Sequence, residues 1–291
     1  MAQQQIIKIG VFKCGNIGTS PLIELLFDEL ADRKDIKVRT VTTGSKMGLK
    51  DVEDALPKIF EFNPDILILI SPNTALPGPA KVRQEISNKG LTGIVLTDAP
   101  GKKVKDEMIS QGLGYIIITG DPLIGARKQF LDPIEMALFN SNISKVLAIS
   151  GVYRIVQKEI DRVIYSLEIE ENLSLPKKVI TVKSIRDNSE FGNPYAKAKA
   201  MAAYALAEKV AEVNTLACFI EKESQKYVPL VACAHEIAQA AARLAEEARE
   251  IEKCNDSVMR KPHAKSGKTK IKTKLMLSPV YEEDFEKSLE E

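Results

Sequence analysis

Short apolar segments alternate with longer amphipathic segments through the first 120 residues of this chain. The apolar segments carry Ile, Val and Leu at successive positions, which is typical of strands buried on both faces of a sheet. They are Ile6–Phe12, Ile36–Val41, Ile66–Ile70, Gly93–Thr97 and Tyr115–Thr119. The segments between them predict helices at Thr19–Leu30, Leu49–Phe60, Pro79–Ser87 and Lys105–Gln111. This alternation predicts an α/β fold in which a parallel sheet carries helices on both faces.

The pattern becomes mainly helical after about Asp132. Helices are predicted at Ile134–Ser150, Val152–Leu167, Tyr195–Glu212 and Val231–Lys253, the last two rich in alanine. β-structure is predicted at Lys178–Val182, and as a small hairpin of Ala217–Glu221 with Lys226–Val228. The chain then divides into an α/β ligand-binding domain (1–131), a helical region with a small β segment (132–254) and an extended, Lys-rich C-terminal segment (255–291). Within that last segment the extended structure is expected at Lys261–Lys274.

The composition excludes several classes of protein. The 41 Lys and Arg residues face 40 Asp and Glu residues, so the chain lacks the charge excess that draws proteins to nucleic acid or to anionic membranes. The four cysteines form no CxxC pair and the two histidines have no cluster of ligands around them, so no metal site is predicted. The sequence begins without a secretory pattern, and no apolar run approaches the roughly 18 residues of a membrane span. We therefore expect a cytoplasmic protein with reduced thiols.

Five polar loops follow the five predicted strands. Because a parallel sheet binds ligands at the carboxyl ends of its strands, these loops are the first candidates for a site. They span residues 13–20, 42–46, 71–79, 98–102 and 120–122.

The first of these loops has a Gly15-x-x-Gly18 spacing, not the GxGxxG of dinucleotide folds. It is either a tight turn at a helix start or an anion site, in which backbone N–H groups bind a phosphate at the helix N-terminus. In the second case the donors belong to Gly15, Asn16, Gly18 and Thr19, with Lys13 adding charge. Cys14 is favoured as a small loop residue over a nucleophile, because no histidine or second cysteine lies nearby in the sequence.

Three later positions also have two interpretations each. Asp98 ends a strand and either caps the next helix or accepts hydrogen bonds from a polar heterocycle. Arg127, with Lys128, either lies in a solvated loop or binds a phosphate or carboxylate, and the second interpretation is favoured for Arg127, whereas the neighbouring Asp132 is favoured as a helix cap. His235 lies alone in the second alanine-rich helix, where a structural role is the default.

Six segments resemble one family of archaeal enzymes. They are FKCGNIGTS, PDILILISPNTALPGPAKVR, TDAPGKKVKDEMISQGLGYIIITGDPLIGARKQFLDPIEMA, NPYAKAKAMAA, YVPLVACAHEIAQAA and NDSVMRKPHA. In this order, from residue 6 to about residue 264, they are similar to the coenzyme F-420-dependent methylenetetrahydromethanopterin dehydrogenases of methanogenic and related archaea.

The resemblance implies an oxidoreductase of archaeal one-carbon metabolism, acting in methanogenesis from CO2 or its reverse. The implied reaction is reversible hydride transfer between reduced coenzyme F-420, an 8-hydroxy-5-deazaflavin, and methenyl-tetrahydromethanopterin, which gives methylene-tetrahydromethanopterin. It also implies a dissociable coenzyme, no metal and a homo-hexamer. Because the methenyl carbon is a stabilised cation that accepts hydride directly, the expected task of the protein is to align the two carbons.

The resemblance also gives the polar loops positioning roles. Asp98 is expected to position the reacting rings. The expected coenzyme-binding residues are Lys13, Cys14, Gly15, Asn16, Gly18, Thr19, Pro72, Asn73, Ala99, Pro100, Gly101, Arg127, Lys128 and His235.

Two other functions remain open at this point. An NAD(P)-dependent enzyme acting on the same pterin is disfavoured by the missing GxGxxG, and exchanging the coenzyme in an assay separates it. A non-catalytic deazaflavin-binding α/β protein is compatible with the scarcity of acid–base residues in the loops. Binding of the deazaflavin without turnover of the pterin would support that function.

Overall fold

One sheet of six parallel strands organises the molecule, in the order β2-β1-β3-β4-β5-β6. The computed structural model describes residues 6–29, 32–169 and 173–290. The strands are β1 (Ile7–Lys13), β2 (Ile36–Thr42), β3 (Ile66–Ser71), β4 (Thr92–Thr97), β5 (Gly114–Ile118) and β6 (Lys177–Ile180). The helices are α1 (Thr19–Asp28), α2 (Leu49–Phe60), α3 (Pro77–Asn88), α4 (Lys105–Ser110), α5 (Pro133–Ser150), α6 (Val152–Glu168), α7 (Val182–Asn188), α8 (Pro194–Thr215), α9 (Ser224–Cys254) and α10 (Glu282–Glu290).

Both faces of the sheet are covered, as the continuous apolar strands predict. Successive side chains of β3 point to opposite faces of the sheet, and every one of them is buried because both faces are covered. Ile66, Ile68 and Ile70 pack with α1, α5, α6 and α8, while Leu67 and Leu69 pack with α2 and α3 on the other face. The prediction of a parallel sheet with helices on both faces is confirmed.

The strand order reverses direction beside β1. The chain passes from β1 to β2 on one side and then to β3 on the other side, so that Ile9 pairs with Val38 and also with Ile66. The crossovers on the two sides diverge at this point and leave space at the carboxyl ends of β1 and β3. The fold therefore places a candidate site there before any side chain is considered.

Two long helices, α8 and α9, pack on each other through alanine. The buried faces carry Ala196, Ala200 and Ala203 on α8 and Ala238 and Ala245 on α9, each with no exposed surface. Because alanine side chains are short, the two backbones approach closely. α5 packs against both helices and connects them to the sheet.

The first five predicted strands agree with the structure to within one residue at each end. The strand predicted at Lys178–Val182 is β6, which ends two residues earlier, at Ile180, and extends the parallel sheet beside β5. The predicted helix Thr19–Leu30 is α1, and Leu30 lies outside the described residues. The division into three regions stays a prediction.

The predicted hairpin of Ala217–Glu221 and Lys226–Val228 is wrong. Leu216–Ile220 is a π-helical turn that continues α8, and α9 already begins at Ser224. The aromatic and branched residues of these segments favour strands. Pro229 lies in the second turn of α9, where it removes one helical hydrogen bond, and packing against α8 sustains the helix.

The C-terminal segment is only partly extended. Lys270–Ile271 (β7) pairs antiparallel with Val280–Tyr281 (β8). The helix α10 follows, so the prediction of an extended segment is wrong for residues 282–290. Among the described residues, the helices are all too short or too polar to cross a membrane.

Candidate active site

The loops after β1 and β3 meet where the strand order reverses. Gly15 has a φ of +86°, which favours glycine. A Cβ atom at Gly15 would lie 2.8 Å from Met47 Sδ and 2.9 Å from Pro72 Cδ. Only a residue without a side chain allows this approach, so Gly15 and Pro72, both buried, form a packed floor beneath the loops of the candidate site.

The start of α1 is already occupied by a carboxylate of the protein itself. The N–H groups of Gly18 and Thr19 donate to Asp121 Oδ1 and Oδ2 at 2.6 and 2.9 Å, and the Thr19 hydroxyl also donates to Asp121. A phosphate cannot use these two N–H groups. The structure therefore contradicts the expected anion site for Gly18 and Thr19, because an internal anion fills the helix N-terminus.

Asp98 lies beside Asp121 at the same edge of the sheet. Its carboxylate accepts the Ala99 N–H at 2.5 Å, so Asp98 caps the 3-10 turn Ala99–Val104, as one of its two interpretations predicted. Burial raises the pKa of Asp98 well above its usual range, and the charge of Asp121 raises it further. Burial also raises the pKa of Asp121, to about 6.

Gly101 holds the 3-10 turn against the end of β4. A Cβ atom at Gly101 would lie 2.2 Å from Thr97 Cγ2 and 3.2 Å from Thr74 Oγ1. Thr74 and Thr97 are both fully buried. Gly101 thus serves close packing behind the rim, and Ala99 and Pro100 remain half-buried at the rim itself.

The remaining predicted residues of the first and third loops form the rim. Lys13 Nζ lies 3.4 Å from Glu24 Oε1 on α1, and Asn16 is exposed, with Nδ2 3.5 Å from Asn140 Oδ1 on α5. Asn73 Oδ1 accepts the Ala75 N–H at 3.1 Å and shapes its own turn. These side chains border the floor formed by Gly15 and Pro72.

Cys14 is buried beneath the first loop. Burial raises the pKa of its thiol to about 11, which disfavours the reactive thiolate. The structure supports the prediction of a small loop residue rather than a nucleophile.

Arg127 is engaged within the protein. Its guanidinium donates to the carbonyl oxygens of Ala217 at 3.1 Å and Glu221 at 2.8 Å, and it lies over the Tyr227 ring at 4.3 Å from the centroid. These contacts fasten the π-helical turn. Arg127 is therefore not available to a ligand anion, contrary to the role expected from the sequence. Lys128 is exposed.

His235 is buried between two phenylalanine rings. The centroids of Phe130 and Phe139 each lie 4.8 Å from the imidazole, and Nδ1 lies 3.6 Å from Glu135 Oε2. Burial lowers the pKa of His235, so the ring is neutral near pH 7. The structure favours the structural interpretation of this residue.

Side chains of the helical region hold the loop after β5, and the sequence did not single them out. The Gly120 N–H donates to the Tyr204 hydroxyl at 3.0 Å, and that hydroxyl donates to the Ile180 carbonyl at 2.8 Å. Asn214 Nδ2 donates to the Leu123 carbonyl at 2.9 Å. Asp121, in the same loop, was missed because Gly-Asp-Pro is typical of an ordinary turn.

Three cavities in the described structure lie away from these loops. They measure about 110, 500 and 590 Å³; the first lies between the ends of α5 and α9, the second between α6 and the C-terminal segment, and the third beside the loop before β6.

Known proteins are similar to almost the whole chain. The model of the methylene-5,6,7,8-tetrahydromethanopterin dehydrogenase family matches residues 7–280. Curated proteins named F420-dependent methylenetetrahydromethanopterin dehydrogenase match from Archaeoglobus fulgidus, at 53% identity, and from Methanocaldococcus jannaschii, at 52% identity. Each match covers 94% of this chain and 99% of the relative.

A solved structure is also similar to this fold. It is an F420-dependent methylene-tetrahydromethanopterin dehydrogenase in complex with methylene-tetrahydromethanopterin and coenzyme F420. It is 46% identical in sequence, with a TM-score of 0.92, and the match covers 95% of this chain and 100% of that chain.

Proposed function

The chain belongs to the methylene-5,6,7,8-tetrahydromethanopterin dehydrogenase family, and from this premise we infer that it transfers a hydride reversibly between coenzyme F-420 and the one-carbon unit of a tetrahydromethanopterin. The observation that carries the inference is the agreement of sequence and fold over nearly the full length with a dehydrogenase solved together with both ligands.

The loops at the carboxyl ends of β1, β3 and β4 are the proposed binding place of the flat, polar heterocycle of the coenzyme. Gly15 and Pro72, both buried, form a packed floor beneath these loops, because Met47 and Pro72 fill the side of Gly15 on which a Cβ atom would lie. The half-buried Ala99 and Pro100 and the exposed Asn16 border this floor. Coenzyme F-420, when bound, supplies the hydride donor or acceptor.

The chain's own contribution is orientation. The reacting carbon of the substrate accepts hydride without proton transfer, so no general acid or base is needed at that carbon. Rigid loops at the floor and rim hold the reactants in line and limit water, which is catalysis by proximity and orientation. Asp98, whose pKa is raised by burial, is proposed as a polar positioning group.

The anionic end of the coenzyme is proposed to contact exposed lysines of the rim. Lys128 is exposed beside the loop after β5, and Lys102 and Lys103 are exposed on the 3-10 turn. Arg127 acts behind this surface by fastening the π-helical turn.

A homo-hexamer is part of this proposal. Large apolar side chains are exposed at the start of α5 and on the π-helical turn, including Ile134 at 67% and Phe219 at 67%. Such groups suit an interface. Light scattering after gel filtration should give about six times the chain mass of 32.1 kDa, and a monomer mass would contradict this part of the proposal.

The reaction is tested by anaerobic absorbance at the deazaflavin band. Purified protein, oxidised coenzyme F-420 and methylene-tetrahydromethanopterin should bleach the band, and omission of protein or pterin should prevent bleaching. NAD and NADP in place of the deazaflavin should give no reduction. Reduction of NADP at a comparable rate, or binding of the deazaflavin without turnover, would contradict the proposed function.

A further inference from the structure

Asp121 joins two parts of the site that lie far apart in sequence. It follows β5, has no exposed surface, and its carboxylate binds the N–H groups of Gly18 and Thr19, 103 and 102 residues earlier in the chain. The Thr19 hydroxyl donates to the same carboxylate. Three donors of one helix start therefore converge on a single buried group.

The loop before α1 is confined on more than one side. A Cβ atom at Gly18 would lie 2.9 Å from Asp121 Oδ1 and 2.8 Å from Ile143 Cγ2 on α5. At its other end the loop presses Gly15 against Pro72 and Met47. The Asp121 contacts and the floor of the site are thus two ends of one five-residue segment, Cys14–Gly18.

We propose that Asp121 is a positioning residue for hydride transfer, which sets the height of the Gly15–Pro72 floor by anchoring Gly18 and Thr19. The inference rests on the proposed function, because it assigns the anchored loop to that reaction. The carboxylate suits this task, since two acceptor oxygens can satisfy both N–H groups and the hydroxyl at once. The negative charge also complements the N-terminus of α1.

Asp121→Asn tests the anchor with little change in shape. The asparagine offers one oxygen and one NH2 group, so one N–H of the loop would face a donor. We expect kcat to fall by about tenfold to a hundredfold because the reactants are held less well in line, with a smaller change in either KM. In the ligand-free protein, amide hydrogen exchange at Gly18 and Thr19 should become faster.

Two milder substitutions at Thr19 test the anchor in case Asp121→Asn fails to fold. Thr19→Val removes the hydroxyl donor and keeps the shape, and it should lower kcat several-fold, whereas Thr19→Ser retains the donor and should recover most of that loss. Asp65→Asn is the matched control, since exposed Asp65 accepts the Lys8 N–H at 2.7 Å at the opposite end of the sheet. It should leave kcat at the wild-type value.

The outcomes separate the two claims. An inactive wild-type protein overturns the proposed function and this inference with it. If the wild type is active, the inference alone is overturned by either of two results. One is that Asp121→Asn and Thr19→Val keep the wild-type kcat, and the other is that their loop amides exchange no faster than those of the wild type. Equal losses in Thr19→Val and Thr19→Ser would likewise contradict the anchor, because the hydroxyl would then be irrelevant.

Discussion

At the residue scale, the site depends on two buried carboxyl groups at the ends of neighbouring strands. Asp98 was predictable because an acid at a strand end followed by Pro-Gly is conspicuous in the sequence. Asp121 occupies an equivalent place, but its partners Gly18 and Thr19 are over 100 residues away, and no local pattern reports them. Arg127 was predicted as a ligand contact because its guanidinium is charged, and the carbonyls it binds also come from a distant element.

Substitution of Asp98 separates its shape from its charge. Because burial raises its pKa, the folded protein binds a proton that the unfolded chain releases, and stability falls as pH rises from about 4 through the raised pKa. Asp98→Asn removes this cost and should raise the unfolding free energy more at pH 8 than at pH 4, while most activity remains. Asp98→Ala loses the cap and should lower kcat/KM by about tenfold. Urea titrations and steady-state kinetics measure both effects, and wild-type kinetics in Asp98→Ala would remove Asp98 from the site.

His263 fastens the C-terminal segment through two carboxylates. Nδ1 lies 2.7 Å from Glu29 and Nε2 lies 2.8 Å from Asp161. Burial alone would lower the pKa of His263, but these two hydrogen-bonded carboxylates raise it overall. The stabilisation is therefore complete below the unfolded pKa of about 6.5 and is lost as pH rises through the higher folded pKa.

His263→Gln should remove that pH dependence. We expect a loss of about 1–2 kcal/mol of unfolding free energy at pH 6, because Glu29 is partly exposed and screened, and a smaller loss at pH 9. Denaturant titration at the two pH values measures the difference. An equal loss at both would show that the charge on the imidazole does not stabilise the segment.

At the element scale, periodicity predicted the strands and most helices because buried parallel strands are continuous apolar runs. It did not predict the π-helical turn Leu216–Ile220 or the start of α9, because their residues favour strands locally and only packing against α8 and Arg127 makes them helical. The contact of the loops after β1 and β3 was likewise invisible, although Gly15 marked one side of it.

Gly15→Ala should cost more stability than the same substitution at a left-handed glycine that has no close neighbours. The backbone strain and the contacts with Met47 and Pro72 together should cost about 2–4 kcal/mol and lower kcat. Gly44→Ala is the control, since Gly44 has a φ of +65° and no atom lies within 4 Å of its Cβ position. It should cost only about 1 kcal/mol and leave kcat unchanged. Similar losses in the two variants would mean that the contact with Pro72 is unimportant.

Arg127→Ala should lower the stability of the protein more than it weakens binding of the coenzyme. The π-helical turn would lose two charged hydrogen bonds and the contact with Tyr227, at about 2–3 kcal/mol. Lys128→Ala, at the exposed neighbour, should change stability by less than about 0.5 kcal/mol and weaken binding of coenzyme F-420. Thermal unfolding and fluorescence titration with the coenzyme compare the two. Unchanged stability with lost binding in Arg127→Ala would restore its role as a ligand contact.

At the scale of the whole molecule, the sheet brings the loops together and the helical region holds them. Tyr204 and Asn214 of α8 fix the loop after β5, and Asp121 of that loop fixes the start of α1. The position of the site at the reversal of strand order follows from alternating strands and helices, so sequence could predict its location. The identity of the coenzyme and pterin could not be predicted in that way, because few of these residues have a distinctive chemistry; it came from the family resemblance.

The direct transfer of hydride between two aligned carbons is tested by isotope labelling. Methylene-tetrahydromethanopterin carrying deuterium on the methylene carbon is oxidised by the protein with coenzyme F-420, and the mass of the reduced coenzyme is measured. The same reaction is run with unlabelled substrate in deuterated water. We predict that the reacting carbon of the reduced coenzyme takes its deuterium from the substrate and none from the solvent, while the proton taken up at the ring nitrogen exchanges with the solvent. Deuterium from the solvent at the reduced carbon, or failure of the substrate label to arrive, would contradict catalysis by alignment alone.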